Sequence, residues 1–451
     1  FPGQGIWEIW EREKSESVKG FTAWPKTGAV RAGRCVDGTG KWMDRILRAE
    51  NEKAGSGADM GKPVRVLHVL GGLSLGGAES RIMDLYRCMD REKVQFDFLV
   101  HQRMESGRDA VRTPEFYDEE VAALGGKVYF LPKFKIYNYL EYKKAVRDFF
   151  RAHPGYAVVQ GHMTSTASIY LPQARLAGTR VVCAHARSAG VDQGIKGLAT
   201  RALRLPLLAR ADYCFACSRE AGTSVFGKSW ESSPKACLIP NAIDGEKFRY
   251  QEAVRECVRR ERKVEDCFVV GHVGRFHYAK NHEFLLEVFA CLHGRQKARG
   301  KRCVLMLLGE GEGMGKAKAQ AQALGISKDV LFLGNQKEVE RYYQAFDFFL
   351  FPSRFEGLPG TVVEAQAAGL PCLASDRITP EVGLCGLVHF ESLGKTAGAW
   401  ADEIEKYIGM EHERKDMSWR IKEAGFDVRS QAEAMERFYL TGKAEGLKRY
   451  R

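Results

Sequence analysis

From Val64 onward, short apolar runs of β character alternate with longer stretches that carry helical spacing. The β-rich runs fall at 64–70, 96–100, 127–131, 157–160, 180–184, 213–216 and 236–240. Helical patterns lie between most of them, for example at 78–89 and 139–152. Such alternation predicts parallel β-α-β units and a doubly wound α/β sheet. A second series starts at Phe268, with strands expected at 268–273, 303–308, 330–333, 348–351 and 371–374. Its helices are expected at 283–297, 315–324, 338–345 and 362–368. The polar, charge-dense segment 244–266 reads as a connection between two domains, 63–243 and 267–425. Two Rossmann-like halves in tandem turn the carboxyl ends of both sheets toward one cleft, where ligands of such sheets bind.

The first sixty-two residues break the pattern. They hold Trp7, Trp10, Trp24 and Trp42, are dense in glycine and charge, and show no sustained period. The chain begins at Phe1, and Met60 stands just before the first strand. Residues 1–62 are therefore expected to be a weakly ordered extension or translated upstream sequence, with a short helical appendage around Trp7 and Trp10 as the other reading.

Composition narrows the picture further. A chain of 451 residues with 45% hydrophobic residues suffices for two cores. No apolar run approaches about eighteen residues, so no membrane-spanning helix is predicted. No secretory signal stands at the start, and a cytoplasmic protein, peripheral at the inner membrane face, is expected. The twelve cysteines mostly lie inside apolar runs. Cys214 and Cys217 form a lone C-x-x-C without the second pair a zinc site wants, and read as buried thiols. A net charge of +12 and a pI near 9.1 call for an anionic partner: nucleic acid, a bilayer surface or phosphorylated small molecules. Segment 186–211 sets Arg187, Lys196, Arg201, Arg204 and Arg210 against the single acid Asp192, interleaved with Leu198, Leu203, Leu205, Leu207 and Leu208. It reads either as a basic amphipathic helix lying on an anionic membrane or as a helix packed on the sheet with a solvated basic face. Pro206 bends it in both cases.

Candidate chemistry gathers at expected strand ends. The first βα turn, Gly71-Gly72-Leu73-Ser74-Leu75-Gly76-Gly77-Ala78-Glu79, lacks G-x-G-x-x-G spacing, and Asp97 falls mid-strand, so a dinucleotide fingerprint is poorly matched. The turn still brings backbone N–H groups toward a phosphate or a sugar hydroxyl, or serves as a plain tight turn. Gly274-Arg275-Phe276-His277-Tyr278-Ala279-Lys280 places two cations where a diphosphate leaving group suits them. After the strand at 348–351, Glu356 precedes Gly357-Leu358-Pro359-Gly360-Thr361 and a helix bearing Glu364. Glu356 accepts hydrogen bonds as sugar hydroxyls require, and Thr361-x-x-Glu364 also has capping-box spacing. No Asp-x-Asp occurs, so a metal-bridged diphosphate is not indicated, and the histidines His153, His162 and His185 lack ligand spacing.

Taken together, Glu356-x7-Glu364, Arg275-x4-Lys280, the Gly76-Gly77 turn and Ile239-Pro240-Asn241-Ala242-Ile243-Asp244 resemble family 4 retaining glycosyltransferases, in the bacterial exopolysaccharide and capsule branch. The resemblance spans about 64–440 and implies a GT-B fold: two Rossmann-like doubly wound domains facing across a cleft. It makes 63–243 the acceptor-side domain, 267–425 the nucleotide-sugar domain, and 426–451 a helix returning to the first. It implies that Arg275 and Lys280 hold the donor diphosphate, Glu356 the sugar hydroxyls and Glu364 the ribose. Amides of Gly357, Leu358, Gly360 and Thr361 line sugar and phosphate, and Gly334-Asn335 faces the nucleobase. The active-site histidine of the family falls at His185, with His162 as the alternative. Asn241 stands near the cleft, although Ala242 replaces the usual glycine. The partners implied are a UDP- or GDP-sugar as co-substrate and a saccharide or lipid-linked acceptor, with no metal, no cofactor and no nucleic acid. Rival readings are a glycoside hydrolase using the two glutamates, a nucleotide-sugar epimerase on the same plan, and a basic nucleic-acid-binding protein.

Overall fold

The computed structural model describes residues 62–102, 113–188, 194–409 and 414–449. The expectation for the tryptophan-bearing stretch 1–62 falls outside them but for Lys62, as does Asp192 of the basic segment. Two sheets, parallel but for one short edge strand, carry the fold. The first orders its strands β14-β7-β6-β5-β4-β1-β2-β3 and the second β10-β9-β8-β11-β12-β13. In the first, β1 is Val64–Val69, β2 Val94–Gln102, β3 Val128–Pro132, β4 Val158–Gly161, β5 Val181–Ala186, β6 Tyr213–Ala216 and β7 Ala236–Leu238. In the second, β8 is Cys267–Val273, β9 Arg302–Leu308, β10 Val330–Gly334, β11 Phe348–Phe351, β12 Cys372–Ser375 and β13 Val388–Glu391. Both follow the doubly wound 3-2-1-4-5-6 order, whose reversal point opens a crevice at the carboxyl ends of the strands.

The strands read as continuous apolar runs because both faces are covered. In β5, Val182, Ala184 and Ala186 join one buried cluster while Val181 and Cys183 join another, on the opposite face. The first of these clusters also reaches Phe349 and Phe351 of the second sheet and Val363 of the helix Gly360–Ala367, so buried apolar contact is continuous between the two halves. Cys214 and Cys217 are buried and free, as strand-packing thiols.

The chain crosses between the halves twice, side by side. Ile243 N–H donates to Phe426 O at 2.9 Å, and Val428 N–H donates to Ile243 O at 3.0 Å. The helix Val428–Thr441 then packs on the helix Gly77–Cys88 and on β1 and β2, and β14, Lys448–Arg449, pairs antiparallel with β7. The segment 244–266 is more than a connection. It folds into the helices Gly245–Phe248 and Glu252–Arg262. Arg255 and Arg259 of the latter grip Asp347 and the carbonyls of residues 345 and 346, which fixes the helix to the second half. Among the described residues no helix is long and apolar enough to cross a membrane.

Candidate active site

The site is built at the carboxyl ends of β8, β9, β10 and β11, facing the strand ends of the first sheet. After β8, the turn Tyr278–Lys280 directs Lys280 back over the Phe351 ring, 4.6 Å from its centroid. There its ammonium forms an ion pair with Glu356 at 2.8 Å. Arg275, earlier in the loop that follows β8, is exposed and has no ion pair among the described residues. Residues expected from sequence to meet the donor thus come together from two separate strand ends. After β9, Glu310 accepts from Asn335 Nδ2 at 3.1 Å, which ties the Gly334-Asn335 turn to a neighbouring loop rich in glycine.

The loop after β11 touches the first domain directly. Asn241 Nδ2 donates to Leu358 O at 2.8 Å, and Ser218 Oγ donates to Gly357 O at 3.0 Å. Gly357 must be glycine, because a Cβ there would stand 2.7 Å from Arg187 O and 2.8 Å from Ser188 Cα. The following helix, Gly360–Ala367, begins without a side-chain cap. The capping box read from Thr361 and Glu364 is therefore not formed: Gly360 already opens the helix, so Thr361 lies inside its first turn and its hydroxyl makes no bond. Glu364 instead faces inward and accepts from Arg81 Nη2 and from Tyr343 OH, both at 2.8 Å. Burial raises its pKa above the usual carboxylate range, against the pull of Arg81.

In the first half, Gly76 caps the helix Gly77–Cys88 through its backbone. The absence of a Cβ leaves room for Glu79, whose carboxylate folds back to within 2.4 Å of where that carbon would be. Desolvation raises the Glu79 pKa, Glu115 raises it further, and Arg187 and Arg275 oppose both. Glu115 covers Gly72 and accepts from Leu73 N–H at 2.6 Å, so that amide is already committed.

β5 runs to Ala186, not Ala184, so His185 lies within the strand instead of after it, and its ring is enclosed on the face beneath the helix Val428–Thr441. It accepts from Gln160 Nε2 at 2.9 Å, and Gln160 in turn accepts from Tyr439 OH at 2.7 Å. The strand period of two brings Arg187, two residues on, out at the strand end. Arg187 Nε donates to His162 Nδ1 at 3.3 Å, and Nη1 donates to Asn241 Oδ1 at 2.8 Å. His162, the alternative from sequence, thus stands nearer the cleft than His185. Burial holds His68, His162 and His185 neutral, lowering His68 to about 3 and the other two well below 6.5. With its Nδ1 accepting, neutral His162 carries its proton on Nε2 and donates to His68 Nδ1 at 3.0 Å.

Arg81, Glu79, Arg187 and Glu310 were not singled out as site residues from sequence. Glu79 and Arg187 each stand two residues beyond a position that was, which is the only local signal they offered. Among the described residues His389, Glu391 and Glu403 approach a metal-holding arrangement. Glu391 is already paired with Lys395 at 2.8 Å and Glu403 with Lys406 at 2.6 Å, and these residues sit on β13 and a following helix.

Two doubly wound sheets, with cations and a glutamate converging at the strand ends of one and a glycine-rich turn on the other, define a glycosyltransferase of the GT-B fold. A family described as "Glycosyltransferase Family 4" matches residues 75–247, and one described as "Glycosyl transferases group 1" matches 255–424. The chain is 35% identical over 382 residues to EpsF of Bacillus subtilis (strain 168), named as a glycosyltransferase, covering 83% of this chain and 96% of that protein. It belongs to the family 4 glycosyltransferases. The capsular polysaccharide biosynthesis glycosyltransferase CapH of Staphylococcus aureus is 23% identical over 389 residues, 84% of this chain and 99% of that one. Among solved structures, Anabaena HepE in complex with UDP and glucose superposes with a TM-score of 0.65 at 16% identity, covering 83% of this chain and 98% of that chain.

Proposed function

We propose that this glycosyltransferase retains the anomeric configuration of its donor, works without a divalent metal, and transfers sugar from a UDP- or GDP-sugar to a saccharide or lipid-linked acceptor in cell-surface polysaccharide synthesis. The observation that carries the reading is the meeting of Lys280 and Glu356 at 2.8 Å, from the loop that carries Arg275 and the loop that leads into 357–361. In this reading the bond from the anomeric carbon to the diphosphate breaks, and the electron pair leaves with the diphosphate. The acceptor hydroxyl attacks from the same face and passes its proton to a diphosphate oxygen. Arg275 and Lys280 stabilise the charge that grows on the leaving group, the role a metal serves elsewhere. Glu356 accepts from sugar hydroxyls and Glu364 from the ribose. The CapH resemblance supports a place in surface polysaccharide synthesis, and the HepE complex supports a uridine nucleotide.

The test is a thermal-shift panel of UDP- and GDP-sugars, followed by NMR of the product and an EDTA challenge. A stabilising sugar nucleotide, a product of unchanged anomeric configuration and an EDTA-resistant rate are expected. An inverted product sinks the retaining mechanism, and a rate lost to EDTA and restored by manganese sinks metal independence.

A further inference from the structure

Of the cations at the cleft, Arg275 and Lys280 have work at the donor diphosphate, while Arg187 has none in that scheme. Its place is fixed from three sides. Its Nε is held by His162, its Nη1 by Asn241, and its own carbonyl lies against Gly357. Through Asn241 it is two hydrogen bonds from Leu358 O, in the loop assigned to the donor sugar. All of these partners are neutral, and His162 is held neutral by burial. No carboxylate among the described residues pairs with Arg187, and Glu79 acts on it only through space. Desolvation lowers its pKa to about 10, so it is still a cation at neutral pH. A guanidinium has five N–H donors, and the two bonds to His162 and Asn241 leave three, both of Nη2 among them, unengaged by the described residues. Arg187 is half-buried; withdrawing a cation even partly from water without an acid to pair with it is costly, and a planar fork with spare donors matches carboxylate or phosphate.

We propose that Arg187 receives an oxyanion on the sugar side of the cleft, one carried by a substrate in addition to the donor's own diphosphate. The oxyanion is either the carboxylate of an acidic donor sugar or the pyrophosphate of a lipid-linked acceptor. The inference rests on the glycosyltransferase reading above and adds a charge requirement to its substrates. The His68–His162 pair behind the guanidinium is a positioning device, because only a neutral His162 accepts from Nε.

The full chain and its Arg187→Gln and Arg187→Lys variants are titrated calorimetrically with UDP, UDP-glucose, UDP-glucuronate and, at saturating UDP, geranyl pyrophosphate. Arg187→Gln is expected to bind UDP and UDP-glucose within about twofold of the wild type, and to lose about tenfold or more for one anionic probe, as charge-assisted hydrogen bonds imply. Loss with UDP-glucuronate assigns the acidic donor, and loss with geranyl pyrophosphate assigns the acceptor. Arg187→Lys, which keeps charge but not the fork, falls between, and it carries the comparison if the glutamine variant does not fold. Equal loss for every ligand, as from a purely structural arginine, or unchanged affinity for both anionic probes, overturns the proposal. A wild type that binds neither UDP nor UDP-glucose counts instead against the donor class of the parent reading.

Discussion

Glu364 is placed where one carboxylate has two claims on it. In the structure it closes the domain interface through Arg81, with Tyr343 taking the other oxygen; in the proposed donor complex it accepts from the ribose. Breaking a buried ion pair from the cationic side leaves a desolvated carboxylate, so Arg81→Met should destabilise the protein by about 3–5 kcal/mol in urea unfolding. Glu364→Gln should cost less, because Arg81 keeps Asp84 at 3.0 Å. A midpoint for Arg81→Met indistinguishable from the wild type would show that the pair contributes nothing. The same site separates ligand roles. Glu356→Gln should weaken sugar nucleotide while sparing free nucleotide diphosphate, and Glu364→Gln should weaken both, since both carry the ribose. Arg275→Ala should depress turnover by about 100- to 1000-fold, the usual loss of about 2.7–4 kcal/mol from one contact to transition-state charge. Wild-type turnover in that variant, or equal losses for both ligands in Glu356→Gln, would show that the constellation has been misassigned.

At the scale of elements, the basic segment resolves into two helices, Gly194–Arg204 and Leu207–Arg210, broken at Pro206. Leu207 turns into the core, whereas Leu198 and Leu205 are 70% and 83% exposed and Arg201 is exposed beside them. Another exposed apolar group on the same domain, Tyr137 at 82% and Leu140 at 79%, is set among the exposed Lys133, Lys135, Lys143 and Lys144. Apolar side chains mixed with cations suit an anionic bilayer. Co-sedimentation with liposomes should rise with anionic lipid content and fall in Arg201→Glu and Leu205→Ser; binding indifferent to both would rule out this surface. Most of these elements were legible in advance because local periodicity records them. β6 and β11 and the helix Tyr139–Ala152 coincide with their expected bounds. What periodicity could not record is pairing at a distance. Arg81 and Glu364 lie 283 residues apart, and His68 and His162 lie 94 apart, so no local pattern joins them. β13 is not legible from periodicity because its Val-His-Phe-Glu run is short and half-polar, nor is β14, because two residues carry no period. The apolar run 180–184 does not show that β5 continues through His185 to Ala186, and an end misread by two residues leaves the face unchanged while it alters the depth.

For the whole molecule, buried histidines govern the response to acid. Burial depresses His68 and His282 to about 3, His101 to about 4, and His162, His185 and His272 well below 6.5. A group whose folded pKa is depressed binds its proton more readily when unfolded. Its stabilising contribution is present above about 6.5 and is lost as pH falls toward the folded value. Glu79 and Glu364, with raised values, act in the opposite sense, but over a window that begins nearer pH 4 and with fewer groups. Stability in urea should therefore fall steadily from pH 7 to pH 5, each fully titrating histidine adding about 1.4 kcal/mol per pH unit. His272→Gln should reduce the slope by about one proton, and a flat profile over that range would contradict the account.

The double crossing at Ile243 and Asp427 also sets an order of events during synthesis. Residues 267–425 leave the ribosome as an uninterrupted stretch containing all six strands of their sheet. The earlier half, although its first seven strands are made sooner, waits for Met435, Phe438 and Tyr439 to cover one face of its sheet. Domains fold as units while translation proceeds at roughly 5–20 residues per second. The domain begun first is thus the one completed last, and its uncovered apolar face spends the whole translation of its neighbour in need of protection from aggregation.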